Sequence, residues 1–181
     1  KARRKAIAAQ MVVVNHHVLF SDYVIRQDGF GQLLGSVDAV IIDEAHQLPA
    51  LAAQFFGIRV SSRQWRELAR DSREAAREAG DVPGIEQQAE ALEQAPAALD
   101  EVFEQLAAQR RSLAQFLALP GAPQALEAVR GQVMALFEAL RPLEERNADF
   151  AALTARALDQ LERLQQILDE PEGEQVRWVE P

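Results

Sequence analysis

The 181-residue chain has no cysteine, one tyrosine, two methionines and only 6% aromatic residues. Without thiols there is no disulfide framework, no thiolate metal site and no cysteine nucleophile, which makes a reducing, cytoplasmic setting the expectation. Apolar runs are short. Met11-Val12-Val13-Val14 and Ala39-Val40-Ile41-Ile42 each end after four residues, against the roughly 20 that a membrane-spanning helix needs, so no membrane partner is expected. The chain is also poor in basic residues, 19 against 28 acidic, and the imbalance is uneven. Residues 1–20 hold Lys1, Arg3, Arg4 and Lys5 and no acid, whereas residues 61–181 hold 13 arginines against 23 acids, a net −10. A surface that acidic repels a phosphate backbone, so weak binding of single-stranded DNA is expected of this chain alone. What the chain does have is 48% apolar residues, enough to exclude wholesale disorder. The first methionine is residue 11 and no apolar signal segment precedes it, as expected of the interior of a longer protein.

Composition changes near Gly57. Before it, the β-branched runs 11–14 and 37–42 read as buried strands, about two dozen residues apart. The mixed-polarity segment between them, ending at Gly29, Gly31 and Gly35, fits a parallel crossover. Residues 1–57 are therefore expected to be strand-helix-strand-helix, an α/β fragment with a partial parallel sheet. After Gly57 the pattern turns Ala- and Leu-rich and all-α. Ser61-Ser62 reads as an N-cap ahead of Trp65, Leu68 and Ala69. Apolar stripes follow at Ile85 to Leu106, Leu126 to Leu143 and Phe150 to Leu168, the pattern of an antiparallel helical bundle. Gly80 to Gly84, Pro96, Pro120 to Pro123, Pro142 and Pro171 to Gly173 mark its breaks, and Val176 to Val179 a short strand.

The segment richest in chemistry is Ala39-Val40-Ile41-Ile42-Asp43-Glu44-Ala45-His46. An apolar strand ending in two acids sets the first carboxylate at the carboxyl edge of a parallel sheet, where open α/β folds bind their ligands. In this Walker B arrangement Asp43 would hold Mg²⁺, an ion that favours oxygen ligands. Glu44 would orient and deprotonate the water attacking the γ-phosphate of ATP. A solvated acidic turn produces the same two letters. The continuation to Asp43-Glu44-Ala45-His46 spells the DEAH form of motif II of superfamily 2 helicases, with His46 coupling the nucleotide site to neighbouring motifs.

Around that motif, Val12-Val13-Val14-Asn15-His16-His17-Val18-Leu19-Phe20, the Gly29-Phe30-Gly31 turn, Gln47-Leu48-Pro49 and Gln54-Phe55-Phe56-Gly57 resemble the DinG and YoaA branch of the XPD-like iron–sulfur DNA helicases. The resemblance is dense over residues 1–65; beyond them only the position and length of an all-α insertion agree. It implies a RecA-like motor domain 1 contributing residues 1–60, a helical arch over 61–174 and a return strand to the motor at 175–181. It also implies ATP-driven 5′ to 3′ movement on single-stranded or forked DNA in repair or replication, replication or repair proteins as partners, and a [4Fe–4S] cluster whose cysteines precede this chain. Two departures stand out: no Gly-x-x-x-x-Gly-Lys-Ser/Thr phosphate loop occurs, nor do the arginine-bearing motifs of a second motor domain. The polypeptide alone is thus expected to hydrolyse ATP negligibly.

Other residues carry competing readings. Asn15 and His16 form either a polar cluster near a DNA path or local hydrogen bonds at the start of the next helix. Arg3 and Arg4 either touch DNA phosphates or are only solvated. A zinc site from His16, His17, His46 and Asp43 would need ligands that adjacent histidines rarely supply together. A non-enzymatic acidic helical interaction module, its Asp-Glu merely a turn, is the alternative of a different class.

Overall fold

The computed structural model describes residues 2–27, 33–80, 82, 84–106, 109–169 and 175–180. The chain forms two compact units, Lys1–Ile58 and Arg59–Pro181, and it is predominantly helical.

The first unit contains α1 (Ala2–Ile7), α2 (His16–Gln27), a 3₁₀ turn (Ala45–Gln47) and α3 (Leu48–Phe56). Asn15 begins α2, its Oδ1 accepting the Val18 N–H at 2.8 Å, which satisfies one of the donors a helix start leaves open. Helices α2 and α3 pack through aromatic rings. Phe20 lies 5.5 Å from both Phe55 and Phe56, Tyr23 meets Phe56 edge-on at 5.4 Å, and His17 lies 5.7 Å from Phe55.

The expectation of paired strands in this unit is corrected. Residues 11–14 and 37–42 lie outside any helix or strand, and Val13 and Ile41 are 91% and 96% exposed. The reason is physical: a largely apolar run is stable as a strand when neighbouring strands take up its backbone groups and cover lies on both faces. Two runs and a few short helices supply neither. The expected Gly29-Phe30-Gly31 turn lies outside the described residues.

The second unit is a bundle. Helices α4 (Ser62–Glu78), α5 (Ile85–Gln94), α8 (Ala122–Leu140) and α9 (Ala148–Leu168) close a ring in which α4 packs on α5 and α9, and α8 on the same two. The shorter α6 (Ala97–Glu104) and α7 (Leu113–Leu117) pack against α8. The core includes most of the expected stripes, with α4 adding Trp65, Leu68 and Ala69; Ile85, Leu92, Val129, Val133, Leu136, Leu140 and Phe150 are fully buried, Leu126, Phe137 and Leu143 only partly, and Leu113, Phe116, Ala122 and Ala125 join the core from outside the stripes. Several starts have a cause in the sequence. Ser61 accepts the Gln64 N–H, Ser112 and Gln115 cap each other's backbone, and Asn147 accepts the Phe150 N–H at 2.9 Å. Gly121 enters α8 at φ 86, a conformation L side chains rarely adopt, with Pro123 in the first turn. Pro96 separates α5 from α6. The Pro171 to Gly173 break falls outside the described residues.

Outside the core, the arginines of α4 form a ladder to the next helices: Arg66 to Asp100, Arg70 and Arg73 to Glu93, and Arg77 to Glu86 at 2.8 Å. Partner numbers fall as the arginine numbers rise, the signature of antiparallel α4 and α5. The two arginine hydrogen bonds outweigh slight burial and hold the Glu93 carboxyl below its ordinary value. Such partly exposed pairs each contribute little and specify register more than stability. The one ladder among the described residues joins β1 (Arg111–Ser112) to β2 (Trp178–Val179) antiparallel, so the strand expected near the C-terminus forms inside this unit. The Arg110 guanidinium sits 4.8 Å from the Trp178 ring centroid and reaches Glu180 at 3.0 Å.

Candidate functional site

Asp43 and Glu44 stand at the point where the apolar run ends and the chain turns into the 3₁₀ segment. Among the described residues Glu44 is the one non-glycine with positive φ, 50°. The left-handed region costs a side-chain-bearing residue about 1–2 kcal/mol. Two hydrogen bonds hold it there: Asp43 Oδ1 accepts the Glu44 N–H at 2.9 Å, and the Glu44 carbonyl accepts the Gln47 N–H at 2.9 Å. The His46 ring then lies over the same turn, Nδ1 3.2 Å from Glu44 Oε2. The structure therefore brings Asp43, Glu44 and His46 together in one solvent-exposed turn. The chemistry on offer is that of two hard carboxylates, one oriented by a backbone amide and one beside an imidazole.

The remaining expected site residues are elsewhere in the unit. Asn15 spends its side-chain oxygen on capping α2. His16 is half-buried on that helix, and Arg3 and Arg4 are exposed on α1. Among the described residues no three His, Asp or Glu side chains gather as a metal site, so the four-residue zinc set does not assemble.

One cluster escaped the sequence reading. Asp22, on α2, is 4% exposed, and its Oδ1 accepts the backbone N–H groups of Leu33 and Leu34. Its Oδ2 accepts from Arg26 Nε at 2.7 Å, and Arg26 Nη2 donates to the Gly35 carbonyl. Burial pushes the Asp22 carboxyl up, but the hydrogen bonds from Leu33, Arg26 and Leu34 together with the Arg26 charge reverse this and leave it below its ordinary value. The available signal was the acid–base pair at i,i+4 within the helix.

Comparison with curated proteins places the likeness among bacterial ATP-dependent DNA helicases of the DinG and YoaA type, as the motifs implied. The relatives are both named ATP-dependent DNA helicase YoaA. The protein of Escherichia coli strain K12 is 54% identical over 71 residues, and that of Haemophilus influenzae Rd is 49% identical over 70. Each match takes in 39% of this chain and 11% of the relative, so the chain spans a small part of the length of the proteins it matches. No family model and no solved structure matches the chain significantly. Among the described residues no helix is long and apolar enough to cross a membrane.

Proposed function

We propose that this chain is part of an ATP-dependent DNA helicase: residues 1–60 belong to a RecA-like motor domain 1 with its DEAH motif, 61–174 form a helical arch beside the single-stranded DNA path, and 175–181 return to the motor. The observation that carries this reading is the 54% identity to a protein named ATP-dependent DNA helicase YoaA. Within the whole protein the exposed runs 11–14 and 37–42 become strands of the motor sheet, which gives their apolar side chains cover. The partners are single-stranded or forked DNA and proteins of repair or replication. Arg3 and Arg4, basic and exposed, suit phosphate contact near the motor, while the acidic bundle does not.

The carboxylates fit a magnesium–nucleotide complex. Mg²⁺ keeps several waters and is held by one or two carboxylates plus substrate phosphates, and the turn offers such an incomplete oxygen set. Bound there, Mg²⁺ would neutralise charge on the β- and γ-phosphates of ATP. Asp43 would be its protein ligand, kept in orientation by the Glu44 amide. Glu44 projects its carboxylate from a strained backbone position and accepts the proton of the attacking water. His46, 3.2 Å from that carboxylate, limits the directions Glu44 takes. The grip on the phosphates themselves requires a phosphate loop outside this chain. An iron–sulfur cluster in the full-length protein would take no cysteine from this part.

The test is nucleotide affinity. Full-length protein is expected to bind Mg-ATP, and Asp43→Asn to weaken that binding about 10- to 100-fold when Mg²⁺ is limiting. Equal affinity in the two proteins would remove Asp43 from the site.

A further inference from the structure

As a strand of the proposed motor sheet, the run 37–42 poses a problem of register. Alternating side chains make a one-residue slip exchange the faces of a strand, and a polar-apolar pattern normally prevents it. Val40, Ile41 and Ile42 are apolar on both faces, so a slip among them changes burial little. It would, however, put Glu44 where Asp43 belongs. Within the run only Asp38 marks one face from the other, so a contact ahead of it adds to what fixes where it starts.

The buried cluster on α2 lies at that point. Asp22 and Arg26 together hold three consecutive residues just ahead of the run, by the N–H groups of Leu33 and Leu34 and the carbonyl of Gly35. A carboxylate taking two successive backbone N–H groups fixes their peptide planes, and the guanidinium fixes the next one. Gly35 is itself buried, at φ 78, and a Cβ there would lie 3.6 Å from Ile7 Cγ1. The segment is thus seated between α2 and α1. We infer that the Asp22–Arg26 pair is a positioning device that sets the register of residues 37–42 and so assigns Asp43 and Glu44 their separate places. The inference rests on the helicase reading for the strand 37–42 and for its consequence in nucleotide binding, and on geometry alone for the clamp.

Two variants of the full-length protein test it. Asp22→Asn removes the charge and one acceptor arrangement at nearly constant volume. Arg26→Lys keeps the charge but has no fork with which to span Asp22 and Gly35. Two quantities are read: amide hydrogen exchange over residues 33–44 without nucleotide, and the Mg²⁺ concentration giving half-maximal nucleotide binding. Both variants are expected to exchange faster across 33–44, with the C-terminal bundle unchanged, and to need about tenfold more Mg²⁺. A merely structural role lowers the fraction of active protein without moving the Mg²⁺ midpoint. Faster exchange confined to α2, or an unmoved midpoint in both variants, would overturn the inference. If Asp22→Asn does not fold, Arg26→Lys alone decides. If the unaltered protein binds no nucleotide, the functional reading fails, and exchange over 33–44 still decides the clamp.

Discussion

Glu44→Gln in the full-length protein is expected to reduce kcat for ATP hydrolysis by about 10²- to 10⁴-fold, the usual contribution of a positioned general base. KM for Mg-ATP should stay within a factor of about three, because an interaction used only in the transition state disappears from kcat and kcat/KM together. The amide keeps the volume of the carboxylate and the same left-handed backbone position, so the turn through Ala45–Gln47 persists. What it lacks is the basic lone pair that takes the proton from water. The contrast with Asp43→Asn is the informative part: one variant binds nucleotide and does not turn over, the other binds it poorly. Steady-state hydrolysis with saturating single-stranded DNA measures both. Near-normal turnover in Glu44→Gln would leave the two acids as a solvated turn.

Phe150→Ala is expected to destabilise the helical unit Arg59–Pro181 by about 3–5 kcal/mol, the cost of emptying a buried aromatic site. Phe150 is completely buried in the first turn of α9, where its own amide is tied to Asn147. The surrounding helices close a ring and have limited freedom to collapse into the space. At roughly 3 °C or more per kcal/mol for a unit of this size, the melting midpoint should fall by about 10 °C or more. Leu158→Ala, on the same helix but 42% exposed, should cost only about 0.5 kcal/mol. Thermal unfolding followed by circular dichroism separates the two, and equal losses would mean that the α9 face has been misassigned.

The bundle was largely legible because each of its helices buries one stripe, and helix starts carry local chemistry. Ser61 ahead of Trp65 and Leu68, the glycine and proline between α7 and α8, and Pro96 all act within a few residues of where they stand. The runs 11–14 and 37–42 were misread as formed strands because a strand is defined by its neighbours, and β-branched composition reports only that neighbours are wanted. Asp43, Glu44 and His46 were legible as a group, falling within four consecutive residues. Their geometry was not, since the left-handed turn at Glu44 depends on hydrogen bonds from both sides. Asp22 carried only the weak local signal of its i,i+4 spacing to Arg26, because its burial follows from residues 33–35 returning across α2.

In the proposed reading this chain supplies the acidic half of a nucleotide site whose phosphate-gripping half lies elsewhere in the same protein. Reading the coding sequence upstream of Lys1 tests it most directly. A Gly-x-x-x-x-Gly-Lys-Ser/Thr loop is expected there, followed by four cysteines ending shortly before Lys1. An upstream sequence with neither would contradict it, and would leave an acidic helical interaction module with an exposed Asp-Glu turn.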